Sequence, residues 1–334
     1  MPVETKDRKI AWYRTPVERK LMAELLQRSD GKGLLQMLGH LGLLALTSAL
    51  AWYAASRQLW PLLGLALFLH GTFFAFLLNA FHELCHKTVF KSKGLNVFFL
   101  YLISFLSWNN PVMFWASHQE HHKFTLHPPD DLEVVLPVKL TLADFMKNAL
   151  VNPWDLVGRL KSYIQLARGK LQDGWQRQLF AETAGEARWR LFFWARLHLA
   201  GHLLLVVVSL ALGAWLVPVL VTLAPFYGGW LLFLCNSTQH IGLQNNVPDF
   251  RLCTRTILLN PFVRFLYWHM NYHIEHHMFA AVPCYNLARL HAVIQHDLPP
   301  SPVGLVATWK EVIVILKRQA VEPGYQFVAR LPGQ

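Results

Sequence analysis

Charge is scarce in this chain. Of 334 residues, only 15% are Asp, Glu, Lys or Arg, against 54% hydrophobic. A soluble domain carries about 25% charged residues, so one large soluble body is excluded and lipid-facing surface is implied. Cysteine is nearly absent too. Cys85, Cys235, Cys253 and Cys284 stand alone with no CxxC spacing. That excludes a disulfide scaffold and a four-cysteine cluster, and fits a reducing, cytoplasm-facing site. No GxGxxG loop, cytochrome-b5 haem motif or iron–sulfur spacing occurs. The first 33 residues are polar and hold no signal-peptide apolar core. The net charge of +11 comes without a basic arm or a nucleic-acid-binding signature, so no nucleic-acid partner is expected. It fits Lys and Arg held near anionic headgroups.

What the chain does have is long apolar runs. Leu34 to Ala54 and Trp60 to Phe81 are each long enough to cross a hydrocarbon core of about 30 Å. Phe192 to Leu216 is a third run, and Pro218 to Cys235 a fourth, with Pro218 and Pro225 bending its start. Val97 to Trp108 is too short to span and reads as a re-entrant or interfacial helix. The expected fold is an all-α integral membrane protein. It has four transmembrane helices, a short re-entrant or interfacial helix and a cytosolic helical cap that carries the site. One domain, 1–334, is expected: an N-terminal cytosolic or interfacial segment (1–33), spans one and two (34–81), a cytosolic region (82–190), spans three and four (191–235) and a second cytosolic region (236–334). Lys6, Arg8, Lys9, Arg14, Arg19, Lys20, Arg28 and Lys32 precede the first span, while only Arg57 lies between the first two. The positive-inside rule then puts both termini and the middle region on the cytoplasmic side of a multi-pass protein. Val17 to Arg28 mixes apolar and charged residues at helical spacing, as a membrane-surface or solvated helix would.

Histidine is abundant: 17 residues, nine of them patterned. His82-Glu83-Leu84-Cys85-His86 closes the second run. His118-Gln119-Glu120-His121-His122 follows the short apolar stretch. His240 comes just after the fourth run, and His273-Ile274-Glu275-His276-His277 lies beyond it. Residues i and i+3 or i+4 share a helix face, so each box aims two or three imidazoles one way. Imidazole suits Zn, Cu, Fe and Ni. A single zinc needs three or four ligands, so nine suffice for two ions with positions left open. His127, His198, His202 and His269 have weaker claims and are left outside the set.

HxxxH, HxxHH and HxxHH, in this order around four spans, resemble the membrane-bound fatty acid desaturase and hydroxylase superfamily, from about residue 60 to 290. The run from His276 to Pro283 is similar to the family's segment after its third box, although Pro283 comes late. The resemblance implies two non-haem iron ions, with O₂ as co-substrate, held by His82, His86, His118, His121, His122, His273, His276 and His277. Asn236-Ser237-Thr238-Gln239-His240 resembles the family's NxxxH element, which implies His240 as a ninth ligand and Asn236 reaching a metal through water. The first box, HELCH, departs from the commoner HDxxH type.

Glu83, Glu120 and Glu275 are expected to support ligand imidazoles from behind. Glu120 and Glu275 lie at i+2 within their boxes, about 200° from the first ligand, so their partners should come from other helices. Asp130, Asp131, Glu133 and Asp249 are further candidates that read equally well as solvated loop charges. HELCH also satisfies the zincin motif, and an intramembrane zinc protease or a metal transporter are the competing classes. The first leaves two boxes without a role. The second expects a site at the bilayer midplane, away from span ends. The expected activity is O₂-dependent oxidation of an unactivated C–H bond, by a fatty acyl or lipid desaturase, or by a hydroxylase of the same superfamily. Beyond the lipid bilayer, a separate electron donor of ferredoxin, rubredoxin or cytochrome b5 type is implied. Lys87, Lys91, Lys93, Lys123 and Arg251 could dock one, though positive-inside charge explains them equally.

Overall fold

In the computed structural model, residues 9–138, 140–181 and 185–333 are described. Lys6 and Arg8 of the N-terminal basic set lie outside them. Among the described residues the chain is helical, with isolated bridges in place of strands. The helices are α1 (Arg19–Leu25), α2 (Asp30–Ser56), α3 (Trp60–Ala75), α4 (Leu77–Cys85), α5 (Lys93–Leu106), α6 (Pro111–Phe124), α7 (Leu142–Ala149), α8 (Pro153–Ala167), α9 (Gly174–Leu179) and α10 (Gly185–Ala211). There follow α11 (Leu216–Leu220), α12 (Trp230–Asn236), α13 (Phe250–Cys253), α14 (Pro261–Leu266), α15 (His273–Met278), α16 (Leu287–Ile294) and α17 (Gly304–Val321).

Among the described residues, three stretches are long and apolar enough to cross a membrane: α2, α3 continued by α4, and α10. A fourth arises if α5 and α6, bent by 103° across a short break, count as one span. The bend is built locally. Trp108 takes a positive φ of 52°, Asn110 caps Val112 and Met113 through its side chain, and Pro111 starts the new helix. A proline at the first helical position lacks only an N–H that would be unpaired anyway.

The span histidines are paired inside the protein, as a hydrocarbon surround demands. His40 Nε2 meets the Phe73 carbonyl at 2.9 Å and its Nδ1 accepts from Trp268. His70 bridges Thr47 and the Leu220 carbonyl. His202 bridges Thr222 and the Phe105 carbonyl, and His198 joins Trp194 to Ser104. Four of the histidines outside the boxes therefore tie helices together.

The fourth expected span is corrected. Pro218 to Cys235 is α11, a single 3₁₀ turn at Ala224–Phe226, and α12. Pro218 and Pro225 withhold backbone donors, and Gly228 adopts φ 70°. At Gly228 a Cβ would lie 2.9 Å from Thr72 N, while at Gly71 it would meet the Tyr227 carbonyl at 2.4 Å. The chain turns here because α3 and this turn touch backbone to backbone. The third run also ends early, at Ala211 rather than Leu216.

Candidate metal centre

Four segments converge on one buried region. α4 carries His82 in its last turn, and His86 caps it. α6 carries His118, His121 and His122 on its last turns. His240 sits in the turn after α12, held by its Nδ1 to the Cys253 carbonyl at 2.9 Å. α15 brings His273, His276 and His277, all buried. His82, His86, His118, His122 and His276 form one group whose ring nitrogens lie within 4.8 Å of one another; His121, His240 and His277 form a second. His273 joins the second, with Nε2 at 3.0 Å from that of His240 and 3.2 Å from that of His277. All nine imidazoles singled out from the sequence come together, five and four.

The rings share one orientation where partners can be seen. Nε2 points inward: His82 to His118 is 2.7 Å, His86 to His118 3.1 Å, His122 to His118 3.0 Å and His276 to His122 3.1 Å. Nδ1 points outward. That of His82 donates to Glu83 at 3.0 Å, that of His118 to Glu133 at 2.8 Å and that of His121 to Asp131 at 2.8 Å. A neutral imidazole has one N–H. With that proton committed to a carboxylate, Nε2 is a bare lone pair. The His82 and His118 lone pairs then face each other at 2.7 Å, which is repulsive unless a cation lies against both. This donor set fits metal ions, and the carboxylates fix the tautomer and raise ligand basicity. Burial drives the His240 pKa down to about 3 and pushes His273, His276 and His277 well below the ordinary histidine value. These rings stay neutral and available as ligands.

The supporting carboxylates are partly those expected. Glu83 is buried against His82, with His276 Nδ1 3.7 Å away. Glu120 is corrected: it is half-buried and pairs with Lys123 at 2.6 Å rather than with a ring of the cluster, because position i+2 turns it off the ligand face. Glu275 is also corrected: it is buried on the back of α15 and binds His291 and Thr256, not a ring of the cluster. Asp131 and Glu133 take the support positions. Burial works against the Asp131 charge, but the hydrogen bond and charge of His121, with two backbone N–H groups, hold its carboxyl below the ordinary range. Asp249 lies elsewhere, paired with Arg251. Asn236 keeps a buried Oδ1 with no partner among the described residues. It lines a cavity of about 170 Å³, together with His82 and His118 of one group and His121, His240 and His273 of the other. Leu78, Phe114, Val134 and Met270 supply apolar wall.

A helical membrane protein with buried imidazole clusters ready for metal is the class that fold and site define. The family model for fatty acid desaturases matches residues 58–309, three quarters of the chain and every box, and the chain belongs to that family. It is accordingly an enzyme of desaturase or hydroxylase type. No curated protein matches it.

Proposed function

We propose that the protein is an O₂-dependent, non-haem di-iron oxidoreductase that desaturates a fatty acyl or lipid chain. One observation carries this: nine inward-facing imidazoles in groups of five and four, around a cavity that touches both. Iron ions held there supply the reduction of O₂ that makes an unactivated C–H bond reactive. Two electrons, two protons and two substrate hydrogens turn O₂ into two waters and leave an alkene. His82, His86, His118, His122 and His276 would hold one ion, and His121, His240, His273 and His277 the other. Asn236 offers its unpaired Oδ1 to a water beside them. Glu83, Glu133 and Asp131 keep protons on Nδ1 and lone pairs on Nε2. Leu78, Phe114, Val134 and Met270 exclude bulk water and leave room for a hydrocarbon segment.

The zincin alternative is disfavoured by the position of Glu83. A general base must face the metal-bound water, whereas Glu83 is enclosed between His82 and His276. The electrons come from a separate ferredoxin, rubredoxin or cytochrome b5. The site and both termini face the cytoplasm, as the basic N-terminal segment favours. Mass spectrometry of host lipids, with and without the protein, tests the reaction: a loss of two hydrogens is expected. A gain of one oxygen would make it the hydroxylase of the same superfamily, and the absence of both changes would sink the proposal. Two iron ions per purified chain are expected, and one zinc would overturn the di-iron assignment.

A further inference from the structure

The four-imidazole group is sealed. His121, His240, His273 and His277 are each at most 4% exposed. One ring, Phe250, joins it to the protein's rim. Phe250 is 1% exposed and sits 5.4 Å from the His277 ring, centroid to centroid. On its other side lies Trp12, stacked at 4.1 Å and 11°. Trp12 is half-buried and flanked by exposed Ala11 and Tyr13.

Trp12 is held firmly. Its Nε1 donates to the Lys123 carbonyl at 2.9 Å, and the His127 ring meets it edge-on at 5.3 Å. Next door, Tyr13 N bonds the Pro248 carbonyl, its hydroxyl bonds Asp297, and Arg251 lies over its ring at 3.9 Å. Stacking alone accounts for an aromatic pair in a core. It does not account for where this indole sits. One edge is bonded to the residue that follows His122, a ligand of the five-imidazole group. One face lies on the ring that touches His277, a ligand of the four-imidazole group. Both halves of the centre are thus two contacts from one rim side chain.

We infer that electrons reach the metal centre through Trp12, by way of Phe250 to His277 and by way of the Lys123 carbonyl to the His122 segment. The inference rests on the di-iron reading above. The donor is a one-electron carrier protein of iron–sulfur or haem type. Each passage oxidises that carrier by one electron and reduces the metal pair by one, with no bond made or broken. Trp12 and Phe250 are positioning residues in this scheme, since neither touches substrate.

The test supplies electrons at a known place. All four native cysteines are buried, so a ruthenium photoreductant attaches selectively to Ala11→Cys in the full-length, iron-loaded protein. Flash reduction of the metal centre is followed by absorbance, with iron content measured alongside. Trp12→Leu is expected to slow this reduction by about an order of magnitude at unchanged iron content, and Trp12→Phe to restore most of it. Reduction by dithionite in solution should not change, because His86 and His122 are themselves partly exposed. Phe250→Leu should act like Trp12→Leu; if it does not fold, the rim variants decide. Equal rates in parent and Trp12→Leu overturn the route, as does equal slowing by Leu and Phe. A parent protein with no reducible iron overturns the di-iron reading, and the route falls with it.

Discussion

At the scale of single residues, the division of labour around each ligand ring is what matters. His118 shows it best: Nε2 faces three other imidazoles while Nδ1 donates to Glu133, which also accepts from Ser117. His118→Ala removes the nitrogen common to these contacts, so loss of iron and of activity is expected in protein that still inserts in the membrane. Glu133→Gln keeps the size but loses the charge that orients the ring. Metal affinity or activity should fall roughly 10–100-fold, the usual cost of such an outer partner. Glu120→Gln serves as the control and should leave both unchanged, since Glu120 pairs with Lys123 rather than with a ring of the cluster. Metal analysis and turnover on the same preparations check all three. The three boxes were legible in the sequence because helical spacing brings their imidazoles to one face, whereas His240 stands alone and was reached only through the resemblance of the segment from Asn236 to His240 to the NxxxH element. Asp131 and Glu133 were visible only as candidates, because their roles depend on a loop folding back over α6. His291 gave no signal at all. Its partner Glu275 lies 16 residues away on another helix.

At the scale of elements, apolar length predicted α2, α3 with α4, and α10. It failed at Pro218 to Cys235, where composition alone reads as a span. The deciding contact there is tertiary: α3 and the turn before α12 approach too closely for a side chain at Gly71 or Gly228. Gly71→Ala should therefore cost about 1–3 kcal/mol through overpacking. Gly228→Ala adds a strained positive φ to the same clash. Gly42 sits on α2 with open space around its Cβ position, so Gly42→Ala should be neutral or stabilising by up to about 1 kcal/mol. Thermal unfolding in detergent separates these cases. The α5–α6 bend was half legible. The sequence marked Val97 to Trp108 as too short to span, but not that Asn110 and Pro111 would restart a helix at 103°.

Across the whole molecule, burial holds eight of the nine imidazoles below the ordinary histidine value, which makes the metal-free protein acid-sensitive; His121, where the hydrogen bond and charge of Asp131 outweigh burial, is the exception. His240 has a native pKa of about 3, whereas an unfolded histidine lies near about 6.5. Above that unfolded value both states are neutral and the native fold keeps its full stability. As pH falls from there towards 3, the unfolded chain takes up protons that the native one refuses, so stability drops. Chelator-treated protein should melt at a clearly lower temperature at pH 5 than at pH 8. Iron-loaded protein should melt higher than the chelated form at pH 8. A flat profile between pH 8 and pH 5 would contradict the neutral, buried state of these rings.

The ligands are also spread along the chain in a telling order. The first is His82 and the last His277, and each metal group takes at least one ring from α15. A ribosome that has not yet made α15 has produced neither group in full. If iron fills both groups as proposed, the full ligand set exists only after the last box has been synthesised and folded back against the others, which would make completion of the centre a late event in biogenesis. A chain cut short before residue 273 would occupy the membrane as an inert scaffold.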